Sequence, residues 1–233
     1  MKWSATTNVA WSAKVPGRGW SSPIVWGDQV IVTSAVHAGA FKQASPGIYG
    51  NDYVAELQKQ GLTGEQIMEK LRQRDLESPQ EVGDLRFMVY SFDVKTGKVR
   101  WEQQAHKGPP IGGRHRKNTY ASETPATDGE RIYALFGNIG LYAYSMDGKL
   151  LWTHKIAPQP RYLDFGTAAS PVVHDGRVYI LDDNEKSSYI AALDAKTGSP
   201  VWKTPRPAEG RMLSGWSTPY FFNDAATTEI YTL

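Results

Sequence analysis

Side chains able to do chemistry gather in three runs of the sequence: Arg114-His115-Arg116-Lys117, Arg161-Tyr162-Leu163-Asp164 and Glu209-Gly210-Arg211. Each run leads into a short segment with amide, aromatic or hydroxyl groups. These are Asn118 to Glu123 (with Tyr120), Phe165 to Ser170, and Ser214 to Ser217 (with Trp216). Arg18-Gly19-Trp20-Ser21-Ser22, near the start, has the same make-up. Arg grips carboxylate or phosphate as a fork, and aromatic rings stack on flat or cationic partners. The set therefore suits an anionic or sugar-like ligand, although ordinary solvated loop charge accounts for the same residues. If the ligand were a glycan to be cleaved, Glu123 and Asp164 would be the acid/base candidates.

Other chemistries find less support. The chain has no Cys, so it forms no disulfide, no thiol nucleophile and no Cys-based metal site. His37, His106, His115, His154 and His174 show no metal-ligand spacing. Asp182-Asp183-Asn184-Glu185 has the look of a cation loop, but it lies between two strand-like runs and reads as a hairpin tip. No helix follows Gly137-Asn138-Ile139-Gly140 to receive a phosphate, nor Ser214-Gly215-Trp216-Ser217 to make a nucleophile elbow. No metal ligands are expected.

What positions these residues is legible from composition and repeat. The 233 residues are 40% hydrophobic and 21% charged, the balance of a folded protein rather than a disordered or collagenous one. A net charge of +2 gives no general reason to bind nucleic acid, and no apolar run is long enough to cross a bilayer. Trp101, Trp152 and Trp202 each follow a turn glycine (Gly97, Gly148, Gly198) by four residues, and lie 51 and 50 residues apart. Asp93, Asp147 and Asp194 stand just before those glycines, placed to accept backbone N–H bonds within the turn. A hydroxyl–proline pair recurs in phase: Ser22-Pro23, Thr124-Pro125, Ser170-Pro171 and Thr218-Pro219. One unit of just under 50 residues thus holds four short strands, which is the grammar of a β-propeller blade.

The gap of 102 residues between Pro23 and Pro125 is one unit plus an insertion, placed at residues 35–84. There Asp52 to Gln60 and Thr63 to Leu76 read as helices. Thr63-Gly64-Glu65-Gln66 supplies a capping box and Ile67, Met68 and Leu71 a narrow apolar stripe. The pair is expected to pack as a lid on the first blade.

The run Ala192-Leu193-Asp194-Ala195-Lys196-Thr197-Gly198, followed by Val201-Trp202, resembles the repeat signature of the PQQ-like β-propeller family. The stretch from Asn118 through Asp128-Gly129 to Phe136-Gly137 looks like the bacterial PQQ-binding-like repeat proteins, related to the propeller lipoprotein of outer-membrane assembly. The resemblance implies an all-β fold, here a partial propeller of three full four-stranded blades and the start of a fourth. Those 233 residues are expected to form one domain carrying the helical insertion. Trp101, Trp152 and Trp202 would cement blade to blade. Lead-in loops would form a funnel with Arg18, Trp20, Arg114, His115, Arg116, Lys117, Asn118, Tyr120, Glu123, Arg161, Tyr162, Asp164, Arg211 and Trp216 as contact candidates.

The implied role is a non-catalytic binding or scaffold module of the bacterial envelope, without a cofactor. It would contact protein or glycan at the funnel or at the helical insertion. The alternative is a quinoprotein-type oxidoreductase holding PQQ with calcium and acting on an alcohol or sugar. Family members close with more blades than this length encodes, so a fragment, or chains associating through an open blade edge, is expected. The resemblance places the parent in the periplasm or outside the cell, although no apolar leader follows Met1.

Overall fold

A computed structural model describes residues 4, 6–39, 51–76, 83–115, 118–207, 209–210, 212–223 and 228–231. Strands β1 (Ile24–Trp26), β2 (Gln29–His37), β3 (Leu85–Asp93) and β4 (Val99–Gly108) form one antiparallel sheet in chain order. A second sheet follows the same order with β5 (Ala126–Thr127), β6 (Arg131–Phe136), β7 (Gly140–Ser145) and β8 (Leu150–Lys155). β9 (Val172–His174), β10 (Arg177–Asp182), β11 (Tyr189–Asp194) and β12 (Pro200–Pro205) make the third. β13 (Tyr220–Asn223) and β14 (Thr228–Tyr231) pair beyond it. These are consecutive blades of a partial β-propeller.

The two middle strands of each blade are buried on both faces, so they read as near-continuous apolar runs such as Arg131–Phe136. Outer strands β4 and β8 largely alternate exposed and half-buried positions, because successive side chains take opposite faces, and β12 is exposed except at Trp202. Phe87, Val89, Ile31, Ile132, Ala134 and Phe136 fill the space between the first and second sheets. Tyr133, Leu135, Leu141, Val178, Ile180 and Leu193 fill the next. On the far face of the first sheet, Met88, Tyr90 and Phe92 are covered by Ala13 and Val15 of the N-terminal segment.

The tryptophans make the inter-sheet joint. Trp101 Nε1 donates to Met146 O at 3.0 Å, and Trp152 Nε1 to Ala195 O at 3.1 Å, each in the turn of the following sheet. Trp11, in no strand of its own, does the same to Val94 O at 2.9 Å. Each ring lies flat on the turn glycine: a Cβ on Gly97, Gly148 or Gly198 would meet the indole of Trp11, Trp101 or Trp152 within 2.4, 2.7 or 2.5 Å. All three glycines have positive φ, so the turn demands glycine twice over. Trp202 packs against Tyr179 of its own sheet, ring centroids 5.9 Å apart.

A bulge stands beside each tryptophan. The register slips between Ser91/Phe92, Ala143/Tyr144 and Ala192/Leu193, opposite the residue preceding Trp101, Trp152 and Trp202. One extra residue there re-aims the side chains of the outer strand. The turn aspartates behave as their type suggests: Asp93 Oδ1 accepts the Thr96 N–H and hydroxyl, both at 2.8 Å, and Asp194 repeats the pattern on Thr197. These bonds hold both carboxyls below their ordinary range. Asp147 takes the Ser145 hydroxyl.

The hydroxyl–proline pairs make a second joint at the inner ends. Ser22 N donates to Thr124 Oγ1 at 3.0 Å, Thr124 N to Ser170 Oγ at 2.9 Å, and Ser170 N to Thr218 Oγ1 at 3.0 Å. Proline at the next position starts each inner strand where no ladder donor is needed.

Helices α1 (Asn51–Lys59) and α2 (Gly64–Leu76) lie between β2 and β3. β2 runs on to His37, pairing with Leu85, so the sheet takes in the first residues of the expected insertion. The capping box is reciprocal: Gln66 N to Thr63 Oγ1 at 3.3 Å and Thr63 N to Gln66 Oε1 at 2.8 Å. Leu57 and Ile67 are buried while Met68 is exposed, so Met68 leaves the apolar stripe expected of it.

Replacing Trp101 or Trp152 with Ala should lower unfolding free energy by about 3–5 kcal/mol in urea titrations. Trp101→Phe should lose about 1 kcal/mol with the donor, and Gly148→Ala should also destabilise because its Cβ meets the Trp101 ring. Losses near zero for all of them would remove the tryptophan joint as a structural determinant.

Candidate binding rim

Two loops at the same end of the second and third sheets build the candidate site. The first follows β4 and the second follows β8. His115 N donates to Phe165 O at 2.9 Å, and Asn118 Nδ2 to Thr167 O at 3.2 Å, tying the loops together. Arg114 Nη1 donates to Asn118 O at 2.7 Å, and its guanidinium lies 5.8 Å from the centre of the Tyr120 ring. Tyr120 OH donates to Gly112 O at 3.1 Å. The Phe165 ring meets His115 at 4.8 Å and Tyr162 at 6.1 Å edge-on, and Trp216 at 6.2 Å with the rings tilted by 41°. Trp216 Nε1 donates to Gly166 O at 2.9 Å. Arg114, His115, Asn118, Tyr120, Tyr162, Asp164 and Trp216 thus share one aromatic rim.

Sequence reasoning missed the residues at its centre. Phe165 is the hub of the ring cluster. Leu163 is 46% exposed, at φ 46°, and Asp164 follows at φ 57°. Two successive non-glycine residues in left-handed backbone cost roughly 1–3 kcal/mol each. Aspartate tolerates that region through its short polar side chain; leucine gives no sequence signal for it.

Other candidates lie elsewhere. Arg161, expected at the funnel, turns inward: its Nη2 pairs with Asp182 Oδ1 at 2.5 Å, with the two side chains 5% and 6% exposed. Its Nη1 donates to Asp183 O at 3.2 Å. A guanidinium so placed neutralises a buried carboxylate, although Asp182 Oδ2 keeps no hydrogen-bond partner, and it is closed to ligands. Glu123 is also shut in, at 1% exposure. Its Oε1 accepts the Thr167 hydroxyl at 2.5 Å and Gly137 N at 3.3 Å, and Oε2 accepts Ser122 N at 3.1 Å. The expected acid/base pairing of Glu123 with Asp164 therefore has no open cleft on the Glu123 side. Arg18 and Trp20 sit at the inner end of the first sheet, where Arg18 N donates to Ala35 O at 2.9 Å and Trp20 N to Ala121 O at 3.0 Å. Arg116, Lys117 and Arg211 lie outside the described residues.

The tip Asp182-Asp183-Asn184-Glu185 is a hairpin tip, each member with an internal task. Asp182 holds Arg161, and Asp183 faces Arg206 Nε at 3.4 Å. Asn184 Oδ1 accepts Lys186 N and Ser187 N. Glu185 Oε1 accepts Ser214 N at 2.8 Å and Ser214 Oγ at 2.6 Å. The tip pins the loops before the third and fourth sheets to each other.

These commitments bear on a PQQ–calcium site. Calcium wants six to eight oxygens from converging carboxylates, amides and carbonyls. Among the described residues no three His, Asp or Glu side chains converge as metal ligands; both oxygens of the buried Glu123 have protein partners, whereas Asp182 keeps one oxygen, Oδ2, without a hydrogen bond. Cavities between the sheets hold about 20 Å³ each, room for one water.

Burial pushes the Glu123 carboxyl up from 4.5, outweighing the Thr167 hydroxyl and the N–H bonds that pull it down. An acid raised in the folded state holds a proton there that the unfolded chain has released, so stability falls as pH rises from 4.5 through the folded value.

A family model described as outer membrane protein assembly factor BamB matches residues 1–216. No curated protein matches the chain. Similar solved structures include BamB from Moraxella catarrhalis, with 18% identity, TM-score 0.34 and coverage of 53% of this chain and 34% of that one. Another is quinohemoprotein alcohol dehydrogenase ADHIIG from Pseudomonas putida HK5, with 19% identity, TM-score 0.43, and 64% and 26% coverage. A third is a europium-containing methanol dehydrogenase, with 19% identity, TM-score 0.39, and 55% and 24% coverage. The chain matches about a quarter to a third of the length of these proteins.

Urea titrations across pH 4–8 should show Glu123→Gln losing less stability than the native chain as pH rises. Identical slopes would mean that Glu123 titrates in the folded state as it does unfolded.

Proposed function

Because the chain belongs to the outer membrane protein assembly factor BamB family of PQQ-like β-propellers, we propose that it is a non-catalytic scaffold of the bacterial envelope. In this reading a protein ligand docks on the rim between the second and third sheets. One observation carries it: Leu163, an apolar side chain, is held out to solvent by left-handed backbone. Next to it in the chain, Tyr162 and Phe165 join His115 and Trp216 in one aromatic cluster centred on Phe165. Strain of that kind persists only where surrounding structure fixes it, and it collects at ligand contacts. Tyrosine, tryptophan and arginine gathered beside an exposed apolar side chain are the residue types enriched at protein-binding hot spots. A glycan would use the same rings with the polar edge of Arg114 and Asn118, and the α1–α2 pair offers a second contact surface. In this reading the protein works in the periplasm or outside the cell, a placement that the envelope role in the family description supports.

A photo-crosslinking residue at Leu163, introduced in cells, should give a discrete protein adduct. The same residue at Leu151, exposed on outer strand β8, should not. Equal labelling at both positions would remove the rim reading. In parallel, PQQ with Ca²⁺ should leave Tm unchanged and support no dye-linked oxidation of alcohols or sugars. Cofactor-dependent oxidation, or a rise of several degrees in Tm, would replace the scaffold with an oxidoreductase.

A further inference from the structure

Of the acids on the two rim loops and the neighbouring hairpin tip, Asp164 alone has no internal task among the described residues. Glu123 accepts the Thr167 hydroxyl and two backbone amides. Asp182 and Asp183 face Arg161 and Arg206, and Glu185 holds Ser214. Asp164 is exposed and takes neither a hydrogen bond nor an ion pair. Its place is nevertheless closely fixed. The backbone is left-handed at Asp164 and at Leu163 before it, with φ of 57° and 46°. The carboxylate lies over Gly113 of the facing loop, where a Cβ would come within 2.2 Å of Oδ2. Only glycine at 113 leaves it that room. Arg114, next along that loop, is committed elsewhere: its Nη1 donates to His115 O and Asn118 O, and its guanidinium lies by Tyr120. Two left-handed residues and a required glycine thus hold out a carboxylate with unused acceptor sites. It stands in the same short turn as Tyr162 and Phe165, whose rings lie 6.1 Å apart.

We propose that Asp164 determines which protein the rim accepts, by taking an arginine side chain of the docked partner. The inference rests on the docking reading above and adds the partner's chemistry. A carboxylate with neither oxygen bonded accepts the paired N–H groups of a guanidinium side by side. The flat guanidinium also stacks on an aromatic face, which a compact, strongly hydrated ammonium does less well. An apolar neighbour of that arginine then rests on Leu163. The other acids cannot stand in for Asp164, because their oxygens face inward to the chain's own donors.

The probes are two capped dipeptides, acetyl-Arg-Leu-amide and its neutral isostere acetyl-citrulline-Leu-amide. Each is titrated into the ¹⁵N-labelled chain and followed at the Gly113 and Asp164 amides, at the millimolar concentrations that so small a part of an interface requires. The arginine peptide should bind about fivefold more tightly than the citrulline peptide, the scale of an exposed ion pair. That difference should shrink in about 0.5 M salt. Asp164→Asn tolerates the same left-handed backbone, so it should keep the native amide spectrum and bind both peptides alike. Equal binding of the two peptides by the native chain overturns the proposal. So does an arginine preference that survives Asp164→Asn. The crosslink at Leu163 reports on docking itself, and the two readings therefore fail separately. An adduct without arginine preference keeps the docking surface and removes Asp164 as its determinant. An arginine preference without an adduct keeps the Asp164 contact and removes the docking reading.

Discussion

An indole ring laid on a glycine turn is the contact on which the whole arrangement depends. A four-stranded blade cannot bury two apolar faces alone, so each must find a neighbour on either side. The tryptophan of one outer strand supplies a large part of that burial, and its N–H fixes the register by reaching a single carbonyl of the next turn. The glycine is then constrained from two directions, by left-handed backbone and by the ring above it. A hydrogen bond at the outer rim and another at the inner rim, between hydroxyl–proline pairs, leave each sheet little freedom to slide or tilt.

Much of this was legible in the amino-acid order. Tryptophan four residues after glycine, and hydroxyl before proline, recur in phase because each marks a place where one blade touches the next. The period therefore revealed the sheets and their number. Their bonding partners were less visible. Trp11 has Thr7 rather than a turn glycine four residues before it, yet it docks on Gly97 as Trp101 docks on Gly148. The bulges beside the tryptophans left no compositional trace, since any residue can occupy the extra position.

At the rim the sequence was a poorer guide, for a physical reason. Arg161 and Arg114 stand at the heads of similar polar runs, and only the fold sends one inward to Asp182, 21 residues further on, and leaves the other beside Tyr120. Glu123 looks like any loop acid until Thr167, from the next blade, closes over it. Leu163 gives no hint of its backbone, because left-handed leucine is fixed by what surrounds it. Residues that build blades repeat and can be counted; residues that make a surface do not repeat. The candidate site lies where the repeat is broken.

The tryptophan joint is tested most directly by hydrogen exchange of the indole N–H groups, read by NMR on dilute ¹⁵N-labelled protein. The account predicts that Trp11, Trp101, Trp152 and Trp216 exchange as slowly as amides of the central strands, with Trp20 exchanging quickly. Trp101 and Trp152 exchanging as fast as Trp20 would contradict it.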